Sequence, residues 1–165
     1  LDALGIKYGA THTEVKITKN GPILIETAAR LMGSSLPLPL LSQCLGHNQV
    51  DLLILSYTDP SSFLSYIEKP SEPKLNWMLV YFISEKEGYI ESINDTSLRS
   101  LKSSALHRFF ISKGGYLKRT LDLPSSPGDL FLVHKNKKTI EHDYRSFREI
   151  ERSQLFNLEP ILQPV

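Results

Sequence analysis

Alternating apolar and polar residues near the start of the chain predict a β-hairpin. Residues 11–17 and 23–28 each form a short run with one acidic residue among apolar or hydroxylic ones, and residues 19–22 carry a turn signal. Pro22 has no amide hydrogen, which argues against a two-residue turn at Asn20-Gly21. A longer loop avoids this conflict, and it pairs residue 17 with 23, 15 with 25 and 14 with 26.

This predicted register divides the hairpin into two faces. Apolar residues form the expected core face, namely Val15, Ile17, Ile23 and Ile25, and polar residues form the other, namely His12, Glu14, Lys16 and Glu26. Glu14 then lies opposite Glu26, with β-carbons about 4.5 to 5.5 Å apart. Because two ionised carboxylates repel, Lys16, Arg30 or a bound cation must offset their charge, and Mg²⁺ prefers such oxygen ligands. The alternative is a pair of exposed glutamates on a solvated sheet face.

The rest of the first half predicts helices followed by a boundary. Apolar spacing indicates helices over residues 36–45 and 49–57, broken near Gly46, with Asn48 or Asp51 at the start of the second. We expect His47 to be a loop or cap residue rather than a ligand. Residues 58–74, rich in proline and serine, read as a boundary or extended linker.

The second half is rich in strands. The pattern predicts a hairpin of residues 77–84 and 88–93, a short helix from Asp95 to Lys102, strands at 106–112, 116–121 and 130–134, a turn at 127–129, and a closing helix at 137–153. In that helix Ile140, Tyr144, Phe147 and Ile150 fall near helical spacing and are expected in the core. We therefore interpret Tyr144 and His142 as non-catalytic.

Composition narrows the class of protein. The chain has 165 residues, enough for one domain or two small ones, and a net charge of +1 gives no electrostatic reason to expect nucleic acid. The single cysteine, Cys44, excludes an internal disulfide, fits a reducing compartment and is expected to be buried. No apolar run approaches the roughly 20 residues of a membrane span. We expect a cytoplasmic protein, and its start at Leu1 within an apparent helix end indicates a fragment.

The residues around the hairpin carry a family resemblance. Leu4 to Lys16 (LGIKYGATHTEVK) and Gly21 to Gly33 (GPILIETAARLMG) resemble the C-terminal portion of an ATP-grasp catalytic domain. The resemblance is closest to carboxylate-amine ligases that join L-amino acids into dipeptides. It implies an α+β fold, in which an antiparallel sheet with helices (residues 1–60) is followed by a strand-rich C-terminal subdomain (61–165).

The resemblance also implies a site. Glu14 and Glu26 would bind Mg²⁺ or Mn²⁺ that bridges the phosphates of ATP, the co-substrate. Arg30 would hold an acyl phosphate or a substrate carboxylate, and His12 would contact substrate, with a general-base role as a guess. Many ATP-grasp enzymes carry Glu-x-Asn-x-Arg, in which the asparagine also contacts metal. Here Ala28 takes that place and cannot be a ligand, which leaves the second metal's coordination open.

The expected activity is ATP-dependent ligation through an acyl phosphate, with a small carboxylate and an amine, such as amino acids, as substrates. The lysines and phosphate loop of the nucleotide-binding lobe would precede Leu1, so we expect the isolated chain to be inactive and to need that N-terminal lobe as its partner. Two alternatives remain, a biotin-carboxylase-like ATP-grasp enzyme and a non-catalytic interaction module derived from one.

Overall fold

The chain forms two compact units, which we describe separately. The first spans Leu1–Lys74 and the second begins at Leu75. The computed structural model describes residues 1–33, 36–69 and 72–159. In the first unit a short 3-10 turn is followed by two strands and three helices: β1 (His12–Thr18), β2 (Gly21–Ala28), α1 (Leu38–Leu45), α2 (Gln49–Thr58) and α3 (Pro60–Glu68).

The hairpin of β1 and β2 has a tighter turn than the sequence predicted. Thr18 pairs with Gly21, so the loop is the two residues Lys19 and Asn20, and the predicted pairs 17 with 23 and 15 with 25 are wrong. Paired residues of an antiparallel ladder alternate between hydrogen-bonded and non-hydrogen-bonded. A turn placed one residue earlier therefore puts Pro22 opposite Ile17, where the ladder needs no N–H from it.

Gly21 makes this turn possible. Its φ is 102°, a conformation that residues with a Cβ rarely adopt, and a Cβ there would meet nothing within 4 Å. The glycine is therefore required by the backbone conformation and not by a lack of space.

A β-bulge restores the pairing that matters for the site. The register shifts between Glu14 and Val15, so that Val15 pairs with Leu24 while Glu14 still pairs with Glu26. The predicted opposition of the two glutamates is confirmed, although the predicted loop is not. Without the bulge, a turn at residues 19 and 20 would place Glu14 opposite Ile25 and Glu26 on the other face.

The predicted core face of the hairpin is exposed in the structure. Val15, Ile17, Ile23 and Ile25 are 49 to 76% exposed. Ile23 also pairs with Lys16, which places it on the face opposite to Val15. The expectation of a buried face under the hairpin is therefore wrong for the residues that the structure describes.

The helices of the first unit follow their sequence signals. Asn48 caps α2, since its side-chain oxygen accepts hydrogen bonds from the backbone N–H groups of Val50 (2.9 Å) and Asp51 (3.1 Å). Cys44 is fully buried on α1, as predicted, and burial raises the pKa of its thiol. His47 is a loop residue whose ring bonds the Tyr66 hydroxyl.

The predicted linker is partly helical. Residues 60–68 form α3, and Asp59 caps it by accepting hydrogen bonds from Ser62 and Ser61. These bonds, chiefly the one from the Ser62 side chain, lower the pKa of Asp59 to about 2. A linker prediction fails here because Asp-Pro-Ser-Ser is also a helix start, with proline at the first position. Pro70 and Ser71 of the predicted linker lie outside the described residues.

The second unit contains two three-stranded antiparallel sheets and one long helix. Its elements are β3 (Asn76–Tyr81), β4 (Gly88–Ile93), α4 (Thr96–Arg99), β5 (Ser104–Phe109), β6 (Tyr116–Leu117), β7 (Gly128–His134), α5 (Lys137–Ser153) and β8 (Phe156–Leu158). The sheet orders are β3-β7-β5 and β6-β4-β8. Helix α5 packs on β3 and β7 over a core that includes Phe82, Leu130 and Phe147. Its predicted bounds and its core residues Ile140 and Phe147 are confirmed.

The predicted hairpin of residues 77–84 and 88–93 is wrong. β3 pairs with β7, whereas β4 pairs with β6 and β8. The Phe82 N–H still donates to the Gly128 carbonyl of β7 (2.9 Å), but from Ile83 onward the chain leaves the sheet because distant groups take its backbone donors. The Ile83 N–H donates to the Glu151 carboxylate (2.7 Å) and the Ser84 N–H to the Thr120 hydroxyl (2.9 Å).

The predicted turn at residues 127–129 is also a strand start. Gly128 pairs with Phe109 and Asp129 with Arg108 in the β5–β7 ladder. The glycine is needed for close approach, since a Cβ on Gly128 would clash with the Arg108 carbonyl oxygen and lie 2.6 Å from the Phe82 ring. The predicted fold class is confirmed, because the chain is α+β and every strand pair in the part of the chain that the structure describes is antiparallel.

Candidate functional site

Three side chains meet on one face of the β1–β2 hairpin. His12 and Glu14 lie two residues apart on β1, so they point to the same side, and Glu26 faces Glu14 from β2. One ligand atom of each of the three residues lies within 4.8 Å of the others. The His12 Nε2 and Glu14 Oε1 atoms are 3.9 Å apart. The structure thus brings together one imidazole nitrogen and two carboxylates in a group that could hold a metal ion.

The site lies at the surface of the first unit. The side chain of Glu14 is 53% exposed and that of His12 is 24% exposed. The Glu14 carboxylate can therefore change rotamer to meet a ligand without disturbing a core. On the opposite face the hydroxyls of Thr13 and Thr27 hydrogen-bond at 2.8 Å, directly between the pairs that carry the site. This bond helps to hold the register on which the site depends.

Arg30 lies just beyond the end of β2. Its backbone N–H donates to the Ala28 carbonyl (2.9 Å), and its Nη1 donates to the Leu31 carbonyl (2.9 Å). Within residues 1–33, 36–69 and 72–159 no carboxylate forms an ion pair with Arg30. The guanidinium has five N–H donors in total, so most of them remain available to an anion.

The segment after Arg30 is fixed by α2. The Gln49 side-chain amide exchanges two hydrogen bonds with the backbone of Met32, one accepted from its N–H (2.9 Å) and one donated to its carbonyl (3.0 Å). Gln49 is the first residue of α2, directly after the cap Asn48. The segment that follows Arg30 is therefore held by hydrogen bonds to the first residue of α2.

The sequence missed His12 as a possible metal ligand. The prediction that His12 contacts substrate stays a prediction, and the structure adds that one of its ring nitrogens lies within 4.8 Å of an oxygen of each carboxylate. The signal was present in the spacing His12-x-Glu14, because residues two apart on a strand share a face. The roles of His12, Glu14, Glu26 and Arg30 stay predictions.

The buried pair of Glu151 and Arg148 in the second unit has a structural role. Glu151 accepts hydrogen bonds from the Ile83 N–H and from Arg148 (2.7 Å each), and Arg148 also donates to the Tyr81 carbonyl (3.2 Å). Burial raises the pKa of Glu151 in spite of these bonds. The pair clamps α5 to the end of β3, so its buried charge has a structural explanation.

Comparisons with known proteins agree with the fold. Dapdiamide A synthase from Enterobacter agglomerans is 29% identical over 150 residues, which cover 90% of this chain and 35% of that protein. The crystal structure of L-amino acid ligase from Bacillus licheniformis matches with a TM-score of 0.71 and 22% identity, over 96% of this chain and 38% of the other. The ATP-grasp resemblance is confirmed. No protein-family model matches the chain.

A second solved structure shows the same ATP-grasp fold. Phosphoribosylglycinamide synthetase from Anaerococcus prevotii matches with a TM-score of 0.66 and 16% identity, over 96% of this chain and 39% of that one. The chain spans little more than a third of the length of each of these relatives. Within its described residues no helix has both the length and the apolar character that crossing a bilayer requires.

Proposed function

We propose that the chain is the C-terminal part of an ATP-dependent carboxylate-amine ligase that works through an acyl-phosphate intermediate. The single observation that carries this proposal is the facing pair Glu14 and Glu26, joined by His12, on an ATP-grasp hairpin. The relatives support it, because one is named a synthase and two solved structures are named an L-amino acid ligase and a synthetase. The proposed substrates are a small carboxylic acid and an amine, such as amino acids, together with ATP.

The donor set fits a hard divalent cation. Two carboxylates supply oxygen ligands that suit Mg²⁺ and Mn²⁺, and the surface position leaves room for water and phosphate oxygens to complete the coordination. When bound, the cation would offset the negative charge that gathers as a carboxylate approaches the ATP phosphates. Glu14 and Glu26 would hold it from two strands whose register the bulge fixes.

Arg30 would hold the anionic part of the substrate. It follows β2 directly, its backbone is fixed by the bond to Ala28, and its guanidinium keeps free donors. A planar guanidinium matches the oxygens of a carboxylate or phosphate in a two-bond arrangement. In this proposal Arg30 orients the anion for attack by the amine, while the two glutamates fix the cation.

The proposal covers the complete polypeptide and not this chain alone. Because the chain spans little more than a third of its relatives, we propose that the nucleotide-binding lobe lies in the remainder. The 165-residue chain should then bind ATP weakly and catalyse no ligation, and the complete ligase should act in the cytoplasm. Tight, magnesium-dependent ATP binding by this chain in calorimetry would contradict that part of the proposal.

The test is Glu26→Gln in the complete polypeptide. Loss of one metal-binding carboxylate should lower ATP turnover by about 100-fold or more, similar to the loss of a group that stabilises transition-state charge. Glu68→Gln is the matched control, since Glu68 is exposed at the end of α3 and far along the chain from the hairpin. If turnover survives in Glu26→Gln, the metal assignment is wrong. Turnover that requires biotin would instead indicate the carboxylase-like alternative.

A further inference from the structure

The residue directly opposite His12 is Ala28. The hairpin register pairs His12 with Ala28, Thr13 with Thr27, and Glu14 with Glu26. Ala28 stands where many ATP-grasp enzymes have an asparagine that also contacts metal, and its methyl group offers no ligand. The structure therefore places a ligand-bearing side chain on β1 across from the position on β2 that lacks one.

We propose that His12 supplies the metal donor that Ala28 cannot supply. The inference rests on the proposed function, because it assumes that Glu14 and Glu26 bind a divalent cation. It adds a third protein ligand from the facing strand, so that the site holds its cation with one imidazole nitrogen and two carboxylates. His12 is thereby a metal ligand and not a general base.

The distances allow this with small side-chain movements. For metal–ligand bonds of about 2.1 Å, neighbouring ligands of an octahedral ion lie about 3.0 Å apart and opposite ligands about 4.2 Å apart. The separation of 3.9 Å between His12 Nε2 and Glu14 Oε1 lies between these values. The widest separation in the group, within 4.8 Å, closes with a rotamer adjustment that exposed glutamates can make.

The surroundings of His12 leave its ring free to bind. Among the described residues the Glu14 carboxylate is the only ion-pair partner of the imidazole, and no hydrogen bond holds the ring elsewhere. Ala28 presents only a methyl group opposite His12, and paired residues of a sheet have β-carbons about 4.5 to 5.5 Å apart. A larger residue at position 28 would compete with the ring for space.

A nitrogen ligand should alter the metal preference of the site. Imidazole binds first-row transition ions better than it binds Mg²⁺, whereas carboxylates suit Mg²⁺ and Mn²⁺ alike. We therefore expect the chain to bind Mn²⁺ more tightly than Mg²⁺, with His12 responsible for the difference. Replacing His12 should reduce Mn²⁺ affinity by about tenfold or more and change Mg²⁺ affinity less.

The experiment uses Mn²⁺ as a spectroscopic probe on the 165-residue chain. Calorimetry gives the affinity, and pulsed electron paramagnetic resonance detects ¹⁴N nuclei bound to Mn²⁺. The wild-type chain should show one bound nitrogen, which His12→Ala should remove. His142→Ala is the matched control, because His142 is an exposed histidine on α5 of the second unit, and its signal should equal that of the wild type. Circular dichroism checks that each variant is folded.

A rescue variant separates loss of a ligand from damage to the hairpin. Adding Ala28→Asn to His12→Ala returns an oxygen donor to β2, so Mn²⁺ affinity should recover in part while the nitrogen signal stays absent. Recovery of affinity supports the exchange of donors between strands. If the wild-type chain shows no nitrogen signal, or His12→Ala keeps it, the proposal is overturned.

The outcomes also distinguish this inference from the proposed function. Mn²⁺ binding that is lost in Glu14→Gln and Glu26→Gln but carries no nitrogen signal would keep the carboxylate site and reject His12 as a ligand. Mn²⁺ binding that survives both glutamine variants, or no saturable binding at millimolar Mn²⁺, would reject the metal site itself and the inference with it.

Discussion

The buried ion pair between Arg108 and Asp129 offers a sharp test of how the second unit is stabilised. Asp129 is 1% exposed, and it accepts a hydrogen bond from the Nε atom of Arg108 (2.8 Å) and a second from its Nη2 atom. These bonds raise the pKa of Arg108. The pair links β5 to β7 within the ladder, so Asp129→Asn perturbs the sheet at one defined point without changing side-chain volume.

The size of the effect follows from what asparagine can still do. It can accept the bond from Nε, but its amide group would meet Nη2 donor to donor, and the guanidinium would lose its counter-charge. Removal of one partner from a buried pair costs about 3 to 5 kcal/mol. Because the Arg108 side chain is 30% exposed, water can hydrate part of its charge, so we expect about 3 kcal/mol.

Urea unfolding followed by Trp77 fluorescence measures this effect. Trp77 is the single tryptophan, and it stacks on Phe131 of the central strand β7, so its signal reports on the second unit. With a urea dependence of about 1.5 kcal/mol per molar, the midpoint should fall by about 2 M. Asp95→Asn is the control, since Asp95 forms an exposed ion pair with Arg99 and should change the midpoint far less. Equal shifts in the two variants would refute the argument from burial.

Two further predictions concern the same unit. Gly128→Ala should destabilise it by about 1 to 3 kcal/mol, because the new methyl would clash with backbone and with the buried Phe82 ring. The loss of stability should exceed that of Gly114→Ala, which alters only a glycine of positive φ in open space. Burial raises the pKa of Glu151 above its unfolded value of about 4.3, so the stability it contributes is fully present below that pH and is lost as pH rises through the folded pKa. The free energy of unfolding of the wild type, relative to that of Glu151→Gln, should therefore fall as pH rises from about 4. Urea midpoints that show it rising with pH would contradict this prediction.

The sequence predicted the polar face of the hairpin well because strand alternation is a local property. His12 and Glu14 share a face by spacing alone, and Glu26 was placed opposite Glu14. The pairing is correct because two errors cancelled, a loop predicted one residue too long and a bulge that no sequence signal revealed. The bulge depends on how both strands pack, which a local pattern does not contain.

Long-range contacts account for the errors in the second unit. A hairpin of β3 and β4 looked natural because Glu-Lys-Glu-Gly separates two apolar runs. In the structure the Glu151 carboxylate of α5 and the Thr120 hydroxyl take the donors that follow β3. In contrast, α5 was predicted with its observed bounds, because Asn136 caps it locally and its apolar positions recur at helical spacing. In the second unit, sequence signals that lie within one element therefore predict that element, whereas the pairing of β3 and β4 could not be predicted from such signals.

The bulge beside Glu14 also has a meaning for evolution. A hairpin with a two-residue turn and no bulge would need one residue fewer between its two glutamates to keep them facing. A deletion among residues 15–25 therefore keeps the two carboxylates facing only if it removes the bulge, whereas a single insertion or deletion that keeps both turn and bulge would carry one carboxylate to the other face. The number of residues between Glu14 and Glu26 is thus coupled to the presence or absence of the bulge.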